Sequence, residues 1–164
     1  MQEGSLPSLA SKAIEALSHR GLTVALAESC TAGMVASTLA SVPGASSALK
    51  GGAVTYCDEI KNKVLGVSSE TLRIHSAVSH ETAREMADGA RRLFDVDVAI
   101  SLTGYAGPGG GTELDPAGTI YIGVSSRLGT DSLRCSLPGD RDAVRHEATR
   151  RAIQLLIDTV MELS

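Results

Sequence analysis

The chain has 164 residues, of which 43% are apolar and none is tryptophan, and this composition predicts one domain with a substantial buried core. Fifteen Lys and Arg against nineteen Asp and Glu give a net charge of −4, and only 2% of the residues are aromatic, which argues against a nucleic-acid partner and against a membrane surface. Three cysteines without C-x-x-C spacing, and a first segment without a signal pattern, predict a reducing, cytoplasmic environment.

The first half of the chain alternates between helical and strand periodicities of its apolar residues. The pattern predicts, in chain order, a helix over 6–17, a strand over 22–27, a helix over 34–39, a strand over 51–56, a helix over 58–65 and a short helix over 70–74. Gly21 is expected to end the first helix. Residues 28–33 are expected to form a tight turn between a buried strand and the next helix.

The second half adds two long helices and three strands. The pattern predicts a helix over 80–94 capped by Ser79, a strand over 96–102, a glycine-rich loop over 103–112, strands over 119–125 and 133–137 joined around 127–130, and a last helix after Arg141. Helices that alternate with strands early in the chain, and a hairpin of two strands late in it, indicate an α/β fold. We expect a single-domain, three-layer α/β/α sandwich with a mixed, mostly parallel sheet of about five or six strands.

Ser29 lies in the predicted turn between a strand and a helix. A serine there can act as a nucleophile, because the turn exposes its hydroxyl while helix N-terminal amides face a developing oxyanion. The alternative is that Ser29 or Thr31 only caps the helix, which is the more common use of these residues. The G-x-S-x-G pattern of lipases is absent, and no histidine lies in a recognisable pairing with Ser29.

A lysine is therefore considered as the base for Ser29. If 58–65 is helical, Lys61 lies within the apolar stripe of that helix and Lys63 points away. Burial would lower the pKa of Lys61 and make the neutral amine available near neutral pH. The alternative is a lysine whose stem covers the core while its ammonium reaches solvent. Tyr56 precedes this helix, where its hydroxyl either reaches both groups or belongs to an ordinary half-buried tyrosine.

The glycines of residues 104–111 allow the backbone to approach an anion or a nucleotide closely, although their spacing matches no dinucleotide fingerprint. A flexible connection is the alternative. Asp140 is expected to cap the last helix, and Arg141, which follows it at the helix start, suits a phosphate, with a solvated arginine as the alternative. The cysteines and histidines lack metal-ligand spacing, so no metal site is predicted. Cys30 is a weaker candidate nucleophile than Ser29, because it also lacks a histidine partner.

Six segments of the chain form one specific pattern. They are Ala27-Glu-Ser-Cys-Thr-Ala-Gly33, Val42-Pro-Gly-Ala-Ser-Ser47, Gly51-Gly-Ala-Val-Thr-Tyr56 with Lys61, His75-Ser-Ala-Val-Ser79, Thr103-Gly-Tyr-Ala-Gly-Pro-Gly-Gly-Gly111 and Pro138-Gly-Asp-Arg141. In order and spacing, this pattern resembles the CinA C-terminal domain family, the nicotinamide-nucleotide amidases. The resemblance extends from about Leu9 to Leu156.

The resemblance implies one CinA C-terminal-like amidohydrolase domain over residues 1–164. The implied reaction is hydrolysis of the carboxamide of nicotinamide mononucleotide to nicotinate mononucleotide and ammonia, without a cofactor or a metal. The family's serine, tyrosine and lysine match Ser29, Tyr56 and Lys61. In that scheme Ser29 attacks the amide, Lys61 acts as the base and Tyr56 assists proton transfer. The resemblance also implies a homodimer.

The expected substrate-binding residues lie in the serine turn, in the glycine-rich loop and at the start of the last helix. They are Cys30, Thr31, Gly33, Thr103, Gly104, Gly107, Gly109 and Arg141. Backbone amides of residues 30–33 are expected to face the oxyanion, and the loop and Arg141 are expected to bind phosphate. Two positions depart from the family pattern. Ala32 stands where a second glycine is usual, and Cys57-Asp58 stand where serine-asparagine is more common.

A second hypothesis comes from a different functional class. The chain would be a non-catalytic nucleotide-binding or regulatory module linked to competence or DNA-damage proteins. The glycine-rich loop and Arg141 would serve such a module without any serine chemistry. Release of ammonia from nicotinamide mononucleotide distinguishes the two hypotheses.

Overall fold

The computed structural model describes residues 4–163, so residues 1–3 and 164 of the expected 1–164 domain lie outside the described residues. The strands are β1 (Val24–Glu28), β2 (Leu49–Val54), β3 (Val98–Gly104), β4 (Thr119–Ser126) and β5 (Gly129–Ser136). The helices are α1 (Leu6–Arg20), α2 (Met34–Ala40), α3 (Asp58–Leu65), α4 (Ser69–His75), α5 (His80–Phe94) and α6 (Arg141–Glu162), with a 3-10 turn at Ala45–Ser47. None of these helices is long and apolar enough to cross a membrane.

The five strands form one mixed sheet in the order β2-β1-β3-β4-β5. β1 pairs in parallel with β2 and with β3, whereas β4 is antiparallel to β3 and to β5. Four strands therefore run in one direction, which confirms the expected sheet. Glu28, the last residue of β1, lies opposite Val54 of β2 and Leu102 of β3. The carboxyl ends of three neighbouring strands consequently meet at one edge, where loops of such sheets place ligands.

Helices cover both faces of the sheet and enclose two cores. The larger core lies between the sheet and α1, α2 and α6, and the smaller core includes residues of α3 and α5. All five residues of β1 are buried, as expected of a central strand covered on both faces. These layers confirm the α/β/α sandwich.

Local capping signals account for several helix boundaries. Gly21 ends α1 in the left-handed conformation, and Gly66 ends α3 in the same way. The Ser79 hydroxyl accepts a hydrogen bond from the Thr82 amide at the start of α5. The Asp140 carboxylate accepts one from the Ala143 amide at the start of α6. The predicted caps Gly21, Ser79 and Asp140 are therefore confirmed.

The hairpin differs from the sequence expectation. β5 begins at Gly129 and not at 133, and Ser126 pairs directly with Gly129 across a two-residue connection. The residues that were missed include Asp131 and Ser132, which are polar because β5 is the exposed edge strand of the sheet. This part of β5 is a strand because its backbone pairs with β4, and its side chains show no apolar pattern that could have predicted it.

Candidate active site

Ser29 directly follows β1 at the edge where the parallel strands end. Its amide donates a hydrogen bond to the Leu102 carbonyl at 3.0 Å, which continues the β1–β3 pairing by one residue. Its carbonyl accepts a hydrogen bond from the Ala32 amide at 3.1 Å, which closes a tight turn. Ala32 has a positive φ of 50°, as the sharp reversal of the chain requires. The sheet and the turn therefore fix the Ser29 backbone on both sides.

Lys61 lies against Ser29. Its side chain is only 1% exposed, and Nζ lies 2.9 Å from Ser29 Oγ and donates to the Thr55 carbonyl at 2.8 Å. Burial lowers the pKa of Lys61 below its ordinary value of 10.5, and the negative charge of Asp58 offsets part of that effect. Lys63, two residues later on α3, is exposed, as the helical spacing predicts.

Tyr56 lies beside this pair but contacts a different residue. Its side chain is 57% exposed, and its hydroxyl accepts a hydrogen bond from Arg141 Nη2 at 2.9 Å. Arg141 Nη1 donates to the Gly107 carbonyl at 2.9 Å. Within residues 4–163, the Tyr56 hydroxyl makes no hydrogen bond to Ser29 or Lys61, so it does not bridge them in this conformation. Arg141 instead joins Tyr56 to the glycine-rich loop.

A cavity of about 170 Å³ opens above Ser29. Four chain segments that are distant in sequence meet there: the serine turn, the residue Tyr56 after β2, the glycine-rich loop and the start of α6. The lining residues are Ser29, Cys30, Tyr56, Gly104, Tyr105, Ala106, Gly107, Gly109 and Arg141. At Gly104 a Cβ atom would collide with the Thr119 carbonyl oxygen, which explains the glycine at this close approach of two strands.

Three expected substrate-binding residues lie elsewhere. Thr31 and Gly33 line a larger cavity of about 610 Å³ on another side of the serine turn. The Thr31 hydroxyl donates to Glu28 at 2.7 Å. Thr103 is buried, and its hydroxyl donates to the Ala77 carbonyl at 2.6 Å, which holds the chain before α5. The structure thus assigns the Thr31 and Thr103 hydroxyls to contacts within the fold.

Cys30 lines the small cavity without being an activated thiol. It is buried, and the removal of water raises the pKa of its thiol to about 11. A neutral thiol is a poor nucleophile, because the thiolate is the reactive form. Ser29 therefore remains the candidate nucleophile of this turn.

Glu28 has a role that the sequence analysis did not assign. Its carboxylate is 1% exposed and accepts hydrogen bonds from the Thr31 hydroxyl and from the amides of Val35 and Ala36, at 2.7, 2.9 and 3.0 Å. These two amides belong to the first turn of α2, so they are not available to an oxyanion on Ser29. A carboxylate at the end of a fully apolar strand was the available signal, because a buried charge requires such partners.

Arg145 is the second residue that was missed. From α6, its Nε donates to the Cys30 carbonyl at 3.0 Å and its Nη2 donates to the Thr31 carbonyl at 3.3 Å. The signal was its position four residues after Arg141, because residues at this spacing lie on the same side of a helix.

Together, the fold and the site define a three-layer α/β/α domain with a buried serine–lysine pair beside a strand-end cavity. Residues 6–160 match the family model of the CinA C-terminal domain, and the chain belongs to this family.

Relatives and solved structures agree with this assignment. A CinA-like protein of Anaeromyxobacter sp. (strain K) is 47% identical over 140 residues, which are 85% of this chain and 34% of the relative. The chain thus spans about a third of the length of the curated relatives it matches. A competence-damaged protein (CinA) superfamily protein of Klebsiella pneumoniae 700603 is 37% identical with a TM-score of 0.93, covering 96% of this chain and 99% of that protein.

Proposed function

We propose that this domain hydrolyses the carboxamide of nicotinamide mononucleotide to give nicotinate mononucleotide and ammonia. The observation that carries the proposal is the 2.9 Å contact between Lys61 Nζ and Ser29 Oγ, made by a lysine that is 1% exposed. A neutral amine in this position can accept the proton of the serine hydroxyl. Its other hydrogen-bond partner, the Thr55 carbonyl, holds the amine in place without carrying a full negative charge.

The first half of the reaction forms an acyl-enzyme. Ser29 Oγ bonds to the carboxamide carbon while its proton passes to Lys61, and the carbonyl oxygen becomes an oxyanion. The C–N bond then breaks, and the amide nitrogen leaves as ammonia with the proton that Lys61 received, so the Lys61 amine is neutral again. Tyr56 can relay this proton, because its hydroxyl oxygen accepts from Arg141 while its O–H is free to donate one proton as it accepts another.

The second half restores the enzyme. Water gives a proton to the neutral Lys61 amine and attacks the ester carbon. The bond from Ser29 Oγ to this carbon breaks, Oγ recovers a proton from Lys61, and nicotinate mononucleotide leaves.

The cavity supports an aromatic amide attached to a larger group. Its volume of about 170 Å³ suits a single ring with its carboxamide, which leaves the ribose and phosphate outside. Two of the three tyrosines of the chain, Tyr56 and Tyr105, line this cavity and offer flat faces to a ring. Arg141 lies beside Gly107 of the loop, where its remaining N–H groups can donate to a phosphate.

The test is ammonia release from nicotinamide mononucleotide, measured alongside calorimetric binding of the same compound. The wild-type chain is expected to release ammonia. Ser29→Ala is expected to bind the nucleotide, to keep its melting temperature and to release no ammonia above background. Wild-type turnover by Ser29→Ala would reject Ser29 as the nucleophile. Binding without turnover by the wild-type chain would favour the regulatory module.

A further inference from the structure

The turn that follows Ser29 separates two cavities. The small cavity contacts Ser29 and Cys30, whereas the 610 Å³ cavity contacts Thr31, Ala32, Gly33 and Arg145. Arg145 therefore lies behind the turn, on the side away from the reacting hydroxyl. It does not line the small cavity, so any influence on the reaction passes through the backbone of the turn.

Arg145 binds two consecutive carbonyl groups of this turn. Its Nε donates to Cys30 at 3.0 Å and its Nη2 donates to Thr31 at 3.3 Å. The nearest carboxylate, Asp142, is 4.0 Å away and has a side chain that is 85% exposed, so it compensates the charge of Arg145 weakly. The planar guanidinium is rigid, so two such contacts fix the orientation of both peptide groups.

The orientation of a carbonyl determines that of the next amide, because in a trans peptide the C=O and the following N–H point in opposite directions. The carbonyls of Cys30 and Thr31 point toward Arg145, so the amides of Thr31 and Ala32 point away from it. The Ala32 amide is used within the turn, where it donates to the Ser29 carbonyl at 3.1 Å. Arg145 therefore orients the peptide group whose amide closes the turn on the Ser29 carbonyl, and it thus fixes the backbone of the residue that carries the candidate nucleophile.

Glu28 anchors the chain after the turn, because it accepts hydrogen bonds from the first-turn amides of Val35 and Ala36 in α2. The turn also contains a strained residue, since Ala32 has a side chain and a φ of 50°. Such a conformation persists only where surrounding contacts hold it. The two contacts from Arg145 are contacts of this kind, and its positive charge polarises the peptide groups that it binds.

We propose that Arg145 is a positioning residue, which holds the Cys30–Ala32 backbone and thereby keeps the Ser29 hydroxyl in its working position against Lys61. The inference rests on the proposed hydrolase function. It assigns to Arg145 an effect on the chemical step and little effect on nucleotide affinity, because Arg145 itself stays behind the turn.

The experiment compares Arg145→Met and Arg145→Lys with Arg91→Met. Arg91 is the matched control, because it also donates to a backbone carbonyl, that of Ser126, at the opposite edge of the sheet. Arg145→Met is expected to lower kcat by about 10- to 100-fold, somewhat less than the loss of an oxyanion donor, with KM changed less than about twofold. The kcat of Arg145→Lys is expected to lie between those of the wild type and Arg145→Met. Arg91→Met is expected to keep the wild-type kcat.

Chemical rescue by guanidinium tests whether Arg145 positions the turn or only stabilises the fold. Guanidinium at millimolar concentration is expected to raise the kcat of Arg145→Ala, since it can enter the open 610 Å³ cavity and bind the two carbonyls. A kcat within twofold of wild type in folded Arg145→Met, or a raised KM with unchanged kcat, would overturn the inference. If Arg145→Met and Arg145→Ala do not fold, a wild-type kcat for Arg145→Lys together with an unchanged labelling rate of Ser29 would overturn it.

Labelling of Ser29 by a fluorophosphonate distinguishes this inference from the proposed function, because the reagent reacts with the Ser29 hydroxyl without needing the nucleotide. A wild-type chain that is labelled but releases no ammonia would reject the substrate, and the labelling rate would still test Arg145. A slower rate in Arg145→Met than in Arg91→Met would support the positioning role, and equal rates would overturn it.

Discussion

The serine turn, residues 28–33, and the glycine-rich loop, residues 104–111, border the same cavity but are held in different ways. Ionisable side chains hold the turn: the buried Glu28 from within it, the buried Lys61 from α3 and the partly buried Arg145 from α6. Backbone contacts hold the loop at its ends, where the Tyr105 amide donates to the Thr119 carbonyl at 2.9 Å. One side chain, Arg141, joins the loop to Tyr56.

This difference indicates a division of roles between the two regions. Reacting groups must stay within a few tenths of an ångström of their working geometry, and buried, fully bonded side chains provide such rigidity. Recognition of a nucleotide instead benefits from backbone that can approach closely, which glycine allows. We therefore expect changes around the turn to alter the chemical step or the stability of the fold, and changes around the loop to alter affinity.

The largest expected effect comes from Lys61→Met, which removes the proposed base that contacts Ser29 from α3. We expect kcat to fall by about 10²- to 10⁴-fold, the usual contribution of a positioned general base. Lys63→Met, an exposed lysine on the same helix, is the matched control and is expected to keep wild-type activity. Steady-state ammonia release measures both. Equal activity of the two variants would mean that Lys61 has only a structural role.

The same substitution is expected to raise the melting temperature. Folding lowers the pKa of Lys61, so between that lowered pKa and 10.5 the unfolded chain binds more protons than the native chain. The stability that depends on this group therefore rises with pH in that interval and is lowest below it. Lys61→Met avoids burying the charge, so its advantage in melting temperature over wild type should narrow as the pH approaches 10.5. An advantage that widens with pH would contradict this account.

A smaller effect, on stability, is expected from Glu28→Gln. The glutamine keeps one acceptor oxygen but turns N–H groups toward the amides of α2, so the variant loses charged hydrogen bonds. We expect the free energy of unfolding to fall by about 1.5–3 kcal/mol, read as a lower urea midpoint at unchanged slope. Asp140→Asn is the control, because this exposed carboxylate also caps a helix and asparagine caps equally well. Similar urea midpoints for the two variants would show that the buried carboxylate of Glu28 stabilises the fold no more than an exposed helix cap does.

The sequence predicted most of the fold because the relevant signals are local. Apolar periodicity located the helices, and Gly21, Ser79 and Asp140 marked boundaries by contacts within a few residues. The inward position of Lys61 followed from the spacing of α3 in the same way. The start of β5 was missed, because pairing along an exposed edge leaves no apolar pattern.

The site was less predictable, because its contacts join residues that are far apart in the chain. Tyr56 binds Arg141 across 85 positions, and Arg145 binds Cys30 across 115. No local pattern encodes these pairs, which arise because the start of α6 lies near the residues that follow β1 and β2. The role of Glu28 was also hidden, because its partners depend on the exact turn that the chain makes after Ser29.

The smallest expected effect separates the loop from the turn through Arg141→Ala. If Arg141 binds the phosphate, the variant loses a charge-assisted contact, and KM for nicotinamide mononucleotide is expected to rise about tenfold while kcat changes less. Nicotinamide riboside, which lacks the phosphate, is the matched control substrate. Its KM is expected to be the same for wild type and variant. The variant should therefore lose the preference for the nucleotide over the nucleoside. A parallel rise of KM for both compounds would instead assign Arg141 to holding Gly107 and Tyr56, and the recognition role of the loop would then rest on its backbone alone.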